Sequence, residues 1–169
     1  TCHYKFTQLE AISKLFKDNK INPHDTFLIC DVWFPGLEAI RYMSNLYNVP
    51  VSIFGVWHAG STTHYDFAEP MNHWAKYFEL GWLNMCDGIF VGSEYAKMAL
   101  LVRLVDQVDD TLLDSMEKKI HPYGMPIDWE YIMSMHAKFS TQERENLIIF
   151  PHSPDAEKCP TLFIDVIAP

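Results

Sequence analysis

No apolar run in this sequence approaches the ~20 residues that a membrane-spanning helix requires, and none of its four cysteines falls in a CxxC pair. The first absence leaves no candidate membrane helix; the second leaves no paired-cysteine centre. Cys30 and Cys86 stand in Leu-Ile-Cys and Asn-Met-Cys, apolar contexts that read as buried thiols. A reducing, cytoplasmic setting is the expectation, and the first residues carry no signal-peptide pattern. Basic residues are scarce: 13 Lys and Arg stand against 22 Asp and Glu, for a net charge of -9. Such a surface argues against tracking nucleic acid or an anionic membrane, because phosphates need a basic face. A nucleotide needs only a local site and stays open. There is no GxGxxG, no Gly-x4-Gly-Lys-Ser/Thr and no Gly-x-Ser-x-Gly, so dehydrogenase, P-loop and α/β-hydrolase readings lack support. No HExxH is present, and His58, His64 and His73 are too irregularly spaced to suggest a zinc site; no metal or cofactor is expected. Internal repeats and low-complexity tracts are also lacking.

What is present is ordinary globular material. Hydrophobic residues make up 49% and charged residues 21% of the 169, which argues against disorder. This length suits one well-buried domain, or one domain and the start of another. At 14%, aromatics suffice for a large core or a stacking surface. The chain starts at Thr1 without Met and stops at Pro169 within a helical pattern, so a piece of a longer protein is expected.

Thr7-Gln-Leu-Glu10 has the form of a capping box, followed by Leu9, Ile12, Leu15 and Phe16 at helical spacing. Thr26 to Val32 is a continuous apolar run, the type of strand buried on both faces, and Pro35-Gly36 breaks it. Leu37, Ile40, Met43 and Leu46 mark a second helix, closed by Asn48. Val51 to Gly55 and Val56-Trp57 form a second strand, running into His58 and the turn Ala59-Gly60-Ser61-Thr62. Pro70 suits the first turn of a third helix, whose apolar stripe is Met71, Trp74, Phe78, Trp82 and Met85. Gly88 to Ser93 is the third strand, with Ser93 placed to cap the helix through Leu104. Asp106 to Lys119 reads as an acidic helix, Lys119 to Asp128 as a short strand and turn, and Trp129 to Phe139 as a helix. Thr141 to Asn146 is linker-like; Leu147 to Phe150 reads as a buried strand, and a helix starts at Pro160. Alternating strands and helices predict an α/β, Rossmann-like fold: a doubly wound, mostly parallel sheet with helices on both faces.

In open parallel sheets, ligands lie outside the carboxyl ends of the strands. Here those ends carry Asp31, His58, Ser93, Gly124 and His152. Any one of them alone reads as a loop residue with a structural job, and the acidic Asp run as a solvated surface. Five in one chain point to a site.

Leu147 to Lys158 resembles the opening of the second Rossmann-like domain of GT-B glycosyltransferases. Its strand and loop stand here as Ile149-Phe-Pro-His-Ser-Pro-Asp-Ala-Glu-Lys158, where that family has a G/H-R-x-x-x-E-K loop. Gly92-Ser-Glu-Tyr95 is similar to a late strand end of the family's N-terminal domain, and His121-Pro-Tyr-Gly-Met-Pro-Ile-Asp128 to its P-x-G-(I/V)-D segment. The likeness spans roughly residues 26 to 165. It implies an acceptor-side N-terminal domain over 1–140, a linker over 141–146 and the start of a nucleotide-sugar-binding domain over 147–169. The implied activity is transfer of a sugar from a nucleotide-sugar donor to an acceptor hydroxyl in an interdomain cleft.

The resemblance also implies roles. Lys158 matches the family's lysine and would neutralise the departing diphosphate, where pre-placed cations stabilise developing charge. Ser153 stands where the family has arginine, a departure that weakens this loop or shifts phosphate binding elsewhere; His152, if protonated, would supply part of the charge. His58 matches a loop histidine near the sugar, as proton acceptor or hydrogen-bond partner. Asp31 would bind acceptor hydroxyls, or serve as base if His58 does not. Trp33, Gly60, Ser61, Thr62, Ser93 and Glu94 would line the acceptor side, with the N–H groups of residues 60–62 cradling an anionic oxygen. The competing expectation is a non-catalytic binding or scaffolding module on the same fold, in which Lys158 is an exposed helix-flanking lysine.

Overall fold

Four strands, β1 (Thr26–Ile29), β2 (Ser52–Trp57), β3 (Gly88–Val91) and β4 (Ile120–Pro122), pair in parallel in the order β1-β2-β3-β4. The computed structural model describes residues 2–64, 66–124, 127–143, 146–152 and 158–167. Helix α1 (Cys2–Lys17) precedes the sheet; α2 (Glu38–Leu46), α3 (Asn72–Met85) and the pair α4 (Glu94–Leu104) and α5 (Asp110–Lys119) form the crossovers. Two further helices, α6 (Trp129–Phe139) and α7 (Pro160–Ile167), follow β4. The chain divides into two compact units, Thr1–Met125 and Pro126–Pro169.

The α/β class and the parallel sheet agree with the sequence pattern. The doubly wound order does not. Each crossover adds the next strand beyond the last, so among the described residues the strand order never reverses and there is no topological switch point. The two sheet faces also differ. Alternation along the strands puts Ile53, Gly55 and Trp57 on one face with Ile89, Val91 and Ile120, all buried. The other face carries Leu28, 60% exposed, with half-buried Phe54, Val56 and Phe90. Phe54 and Phe90 stack at 6.0 Å there, and Phe54 lies over Gly88, where a Cβ would come within 2.8 Å of its ring.

Several local expectations shift. Thr7 does not cap α1, which starts five residues earlier; its hydroxyl donates to the Tyr4 carbonyl instead. The acidic helix starts at Asp110, capped by Asp109, whose carboxylate accepts from the Leu112 N–H. Asn19 and Asn48 follow α1 and α2 with φ of 53° each, the left-handed geometry that stops a helix. In α3 the expected stripe is rotated. Trp74 and Phe78 are about half exposed, and the buried face runs through Ala75, Glu79, Trp82 and Leu83. A charged residue thus sits on the inner side of a helix, among the core.

The second unit contains α6 and α7 with the run between them. Leu147 to Phe150 is not a strand: it has no ladder partner among the described residues, and Leu147, Ile148 and Ile149 are over 60% exposed. Apolar composition alone does not make a strand without a neighbour to supply its hydrogen bonds. Phe150 packs on Phe163 at 4.9 Å and on His152 at 5.4 Å within this unit.

Candidate functional site

The carboxyl ends of β1 and β2 lie side by side because the strands are adjacent and parallel. Beyond β1 the chain passes Cys30, which is exposed and not buried as its apolar context suggests, and Asp31, then folds inward, with the Val32 N–H donating to the Val56 carbonyl. Gly55 has no Cβ because Val32 packs there; a Cβ would meet its Cγ2 at 2.3 Å. Beyond β2 comes His58, exposed, with Nε2 at 3.1 Å from the Cys30 carbonyl oxygen. A carbonyl only accepts, so Nε2 carries the proton and donates it. In the neutral ring Nδ1 is then left as the acceptor.

Asp31 has two local partners. One carboxylate oxygen accepts from the Trp33 N–H at 3.0 Å, an Asx turn, and the other lies 3.6 Å from Lys5 Nζ. Lys5 also donates to the Trp33 carbonyl. A cavity of about 470 Å³ opens here between α1 and the free edge of β1, lined by Lys5, Gln8, Phe27, Cys30 and Asp31 among others. That volume lies in the range of small-molecule sites.

Trp33 is turned into the core. It is 8% exposed, set edge-on to Trp82 and Phe67, and its indole N–H donates to Glu79 Oε1 at 2.6 Å. Ser61 is fully buried; its N–H donates to Glu79 Oε1 at 2.5 Å and its hydroxyl to Oε2 at 2.8 Å. The turn after β2 therefore does present an N–H to an anionic oxygen, and the oxygen belongs to the protein's own Glu79. Gly60 fits because it has no Cβ: one would lie 2.6 Å from Trp57 Cζ2 and 2.8 Å from Glu79 Oε1. Thr62 and Thr63 both accept from Arg103 Nη1 at 3.1 Å, tying the turn to α4.

Ser93 caps α4, accepting from the Ala96 N–H at 3.1 Å, and Glu94 is exposed in the first turn of that helix. His152 and Lys158 belong to the second unit and are exposed; Ser153 and Glu157 lie outside the described residues. Asp31, His58 and Thr62 are thus gathered at adjacent strand ends, while Trp33, Gly60 and Ser61 are buried beneath them. His58, His64 and His73 do not gather: among the described residues no group of three or more His, Cys, Asp or Glu could hold a metal. His64 Nδ1 is instead 2.9 Å from Glu69 Oε1.

Glu79 and Arg103 are the groups that sequence reasoning missed. The available signal was spacing: Glu79 falls three and four residues from Trp82, Leu83 and Ala75, on the face that α3 buries. Comparison with protein-family models, with curated proteins and with solved structures found no match in any of the three.

Proposed function

We propose that the protein is a glycosyltransferase of GT-B type, with the first unit on the acceptor side. The observation that carries this reading is the His58 ring, whose Nε2–H is committed to the Cys30 carbonyl while Nδ1 is left to accept a proton. As the acceptor hydroxyl oxygen bonds to the anomeric carbon, its proton passes to Nδ1, and the bond from that carbon to the nucleotide diphosphate breaks. A histidine suits this exchange because one ring nitrogen can take a proton while the other keeps its hydrogen bond. The Asp31 carboxylate, beside the cavity along β1, binds acceptor hydroxyls. The resemblance assigns Lys158, and His152 if protonated, to the donor diphosphate, where a cation offsets developing charge. The order of the motifs from Asp31 to Lys158 supports the same reading.

The test is sugar transfer or donor hydrolysis with a panel of nucleotide sugars. His58→Ala is expected to lower turnover by about a hundredfold or more, the range of lost general-base catalysis, with the circular dichroism spectrum retained. A folded His58→Ala protein with full turnover would remove the catalytic role.

Two observations favour the second reading, a binding module. The anion cradle after β2 is filled internally by Glu79, and Ser153 replaces the expected arginine. Donor binding without turnover by the wild-type protein would select that reading.

A further inference from the structure

We propose that Glu79 is the positioning residue of the strand-end site, holding the loops after β1 and β2 in the register that seats His58. The description of that site as an acceptor site rests on the transferase reading; the role of Glu79 does not. Its carboxylate is 4% exposed and receives three donors: the Trp33 indole N–H, the Ser61 N–H and the Ser61 hydroxyl. No ion pair forms with it among the described residues.

Burying a carboxylate without a cation is costly, and an apolar residue would pack more favourably beside Ala75, Trp82 and Leu83. What a carboxylate adds is acceptor capacity. One oxygen takes two N–H groups from different loops, which an apolar side chain cannot do. The separation of those loops is therefore set by the span of a single group. Gly60 completes the arrangement by letting the backbone approach Oε1.

The linkage to His58 is geometric. Two short arms leave the sheet and turn into the core, Cys30 to Trp33 after β1 and His58 to Ser61 after β2. At their near ends, His58 Nε2 bonds the Cys30 carbonyl at 3.1 Å. At their far ends, Trp33 and Ser61 are joined through Glu79 Oε1 at 2.6 and 2.5 Å. The arms are closed at both ends. Opening the far end leaves the arms on the Val32–Val56 backbone bond and the Arg103 contacts to Thr62 and Thr63, and so loosens the carbonyl that orients the exposed imidazole.

The test uses nuclear magnetic resonance and hydrogen exchange on the full 169-residue chain. Glu79→Ala is expected to speed exchange of the Ser61 amide and the Trp33 indole by about tenfold to a hundredfold, the loss of hydrogen bonds to a charged group. It should also shift the His58 ring nitrogen signals, with exchange at Ile53 and Ile89 unchanged. Glu79→Gln keeps one oxygen for both N–H donors, and the Ser61 hydroxyl can turn to accept from its amide; this variant is expected to restore all three signals. Exchange that speeds equally at Ile53, Ile89 and Ser61 would reduce Glu79 to a general contributor to stability and overturn the proposal. A His58 signal indifferent to Glu79→Ala would also overturn it. Should Glu79→Ala not fold, Trp33→Phe decides: it removes one donor and keeps an aromatic ring, and an unmoved His58 signal counts against the role. None of these readouts needs a substrate. A wild-type protein that transfers no sugar yet responds in this way refutes the transferase reading alone, and transfer without the response refutes the role of Glu79 alone.

Discussion

The Arg41 guanidinium meets the Asp87 carboxylate at 2.7 Å, and through this contact α2 is fastened to the amino ends of β2 and β3. The same guanidinium donates to the Val51 carbonyl at 2.9 Å and to the Met85 carbonyl at 3.0 Å, while Asp87 accepts the Ile53 N–H at 2.7 Å. Arg41 serves these acceptors because its planar fork presents donors in several directions at once. A lysine ammonium is a single point and cannot span them. Arg41→Ala is expected to lower unfolding stability by about 2 to 3 kcal/mol, since it strands bonds made by a charged donor. Arg41→Lys should recover less than half of that. Urea midpoints at constant m-value measure both; full recovery by lysine would show that only the charge matters.

Gly60 and Gly81 make opposite demands on the same substitution. A methyl group at Gly60 would press on Trp57 Cζ2 and Glu79 Oε1, both held in the core, so neither can give way cheaply. Gly60→Ala is expected to destabilise by about 1 to 3 kcal/mol, the range of overpacking. Gly81 lies inside α3, exposed, with nothing within 4 Å of where its Cβ would stand. Gly81→Ala is expected to stabilise by about 0.5 to 1 kcal/mol, because glycine costs more conformational entropy in a helix than alanine. Thermal or urea unfolding of the two variants separates them by sign. A stabilised Gly60→Ala would mean that the turn after β2 is not clamped as described.

The strands were legible wherever a continuous apolar run ended on a polar residue. All four lie within the runs expected of them, α6 has the limits that Trp129 and Phe139 suggest, and α7 starts at Pro160 as expected. Leu147 to Phe150 failed by the same criterion, because strand pairing depends on a neighbour that composition cannot report. The strand-end positions of Asp31 and His58 were readable for the same reason as the strands. Their supporting partners were not. Glu79 joins Trp33 and Ser61 across 46 and 18 residues of sequence, and on a helix bearing Trp74 and Phe78 its acidic character argues for the outside. Ser93 shows the converse: it was read both as a helix cap and as a ligand contact, and the capping bond to Ala96 is the role with a partner.

Cys86 offers a test of how well the inner sheet face excludes water. It follows α3, is 1% exposed, and its thiol is pushed from the ordinary value of 9.0 up to about 12, mainly by burial and further by the negative charge of Asp87. Arg41 and Lys119 oppose that shift without cancelling it. A thiol with a raised value holds its proton more tightly folded than unfolded. Its contribution to stability is therefore whole below pH 9.0 and is lost as pH rises toward about 12. The stability of the wild-type protein should fall more steeply across that window than that of Cys86→Ala, since tyrosines and lysines titrate alike in both. At about pH 8, a soluble thiol reagent should label exposed Cys30 and spare Cys86 in the native state, because only an accessible thiolate reacts. Parallel stability curves for the two proteins, or rapid native-state labelling of Cys86, would show that water reaches this thiol and that the seam between α3 and β3 is open.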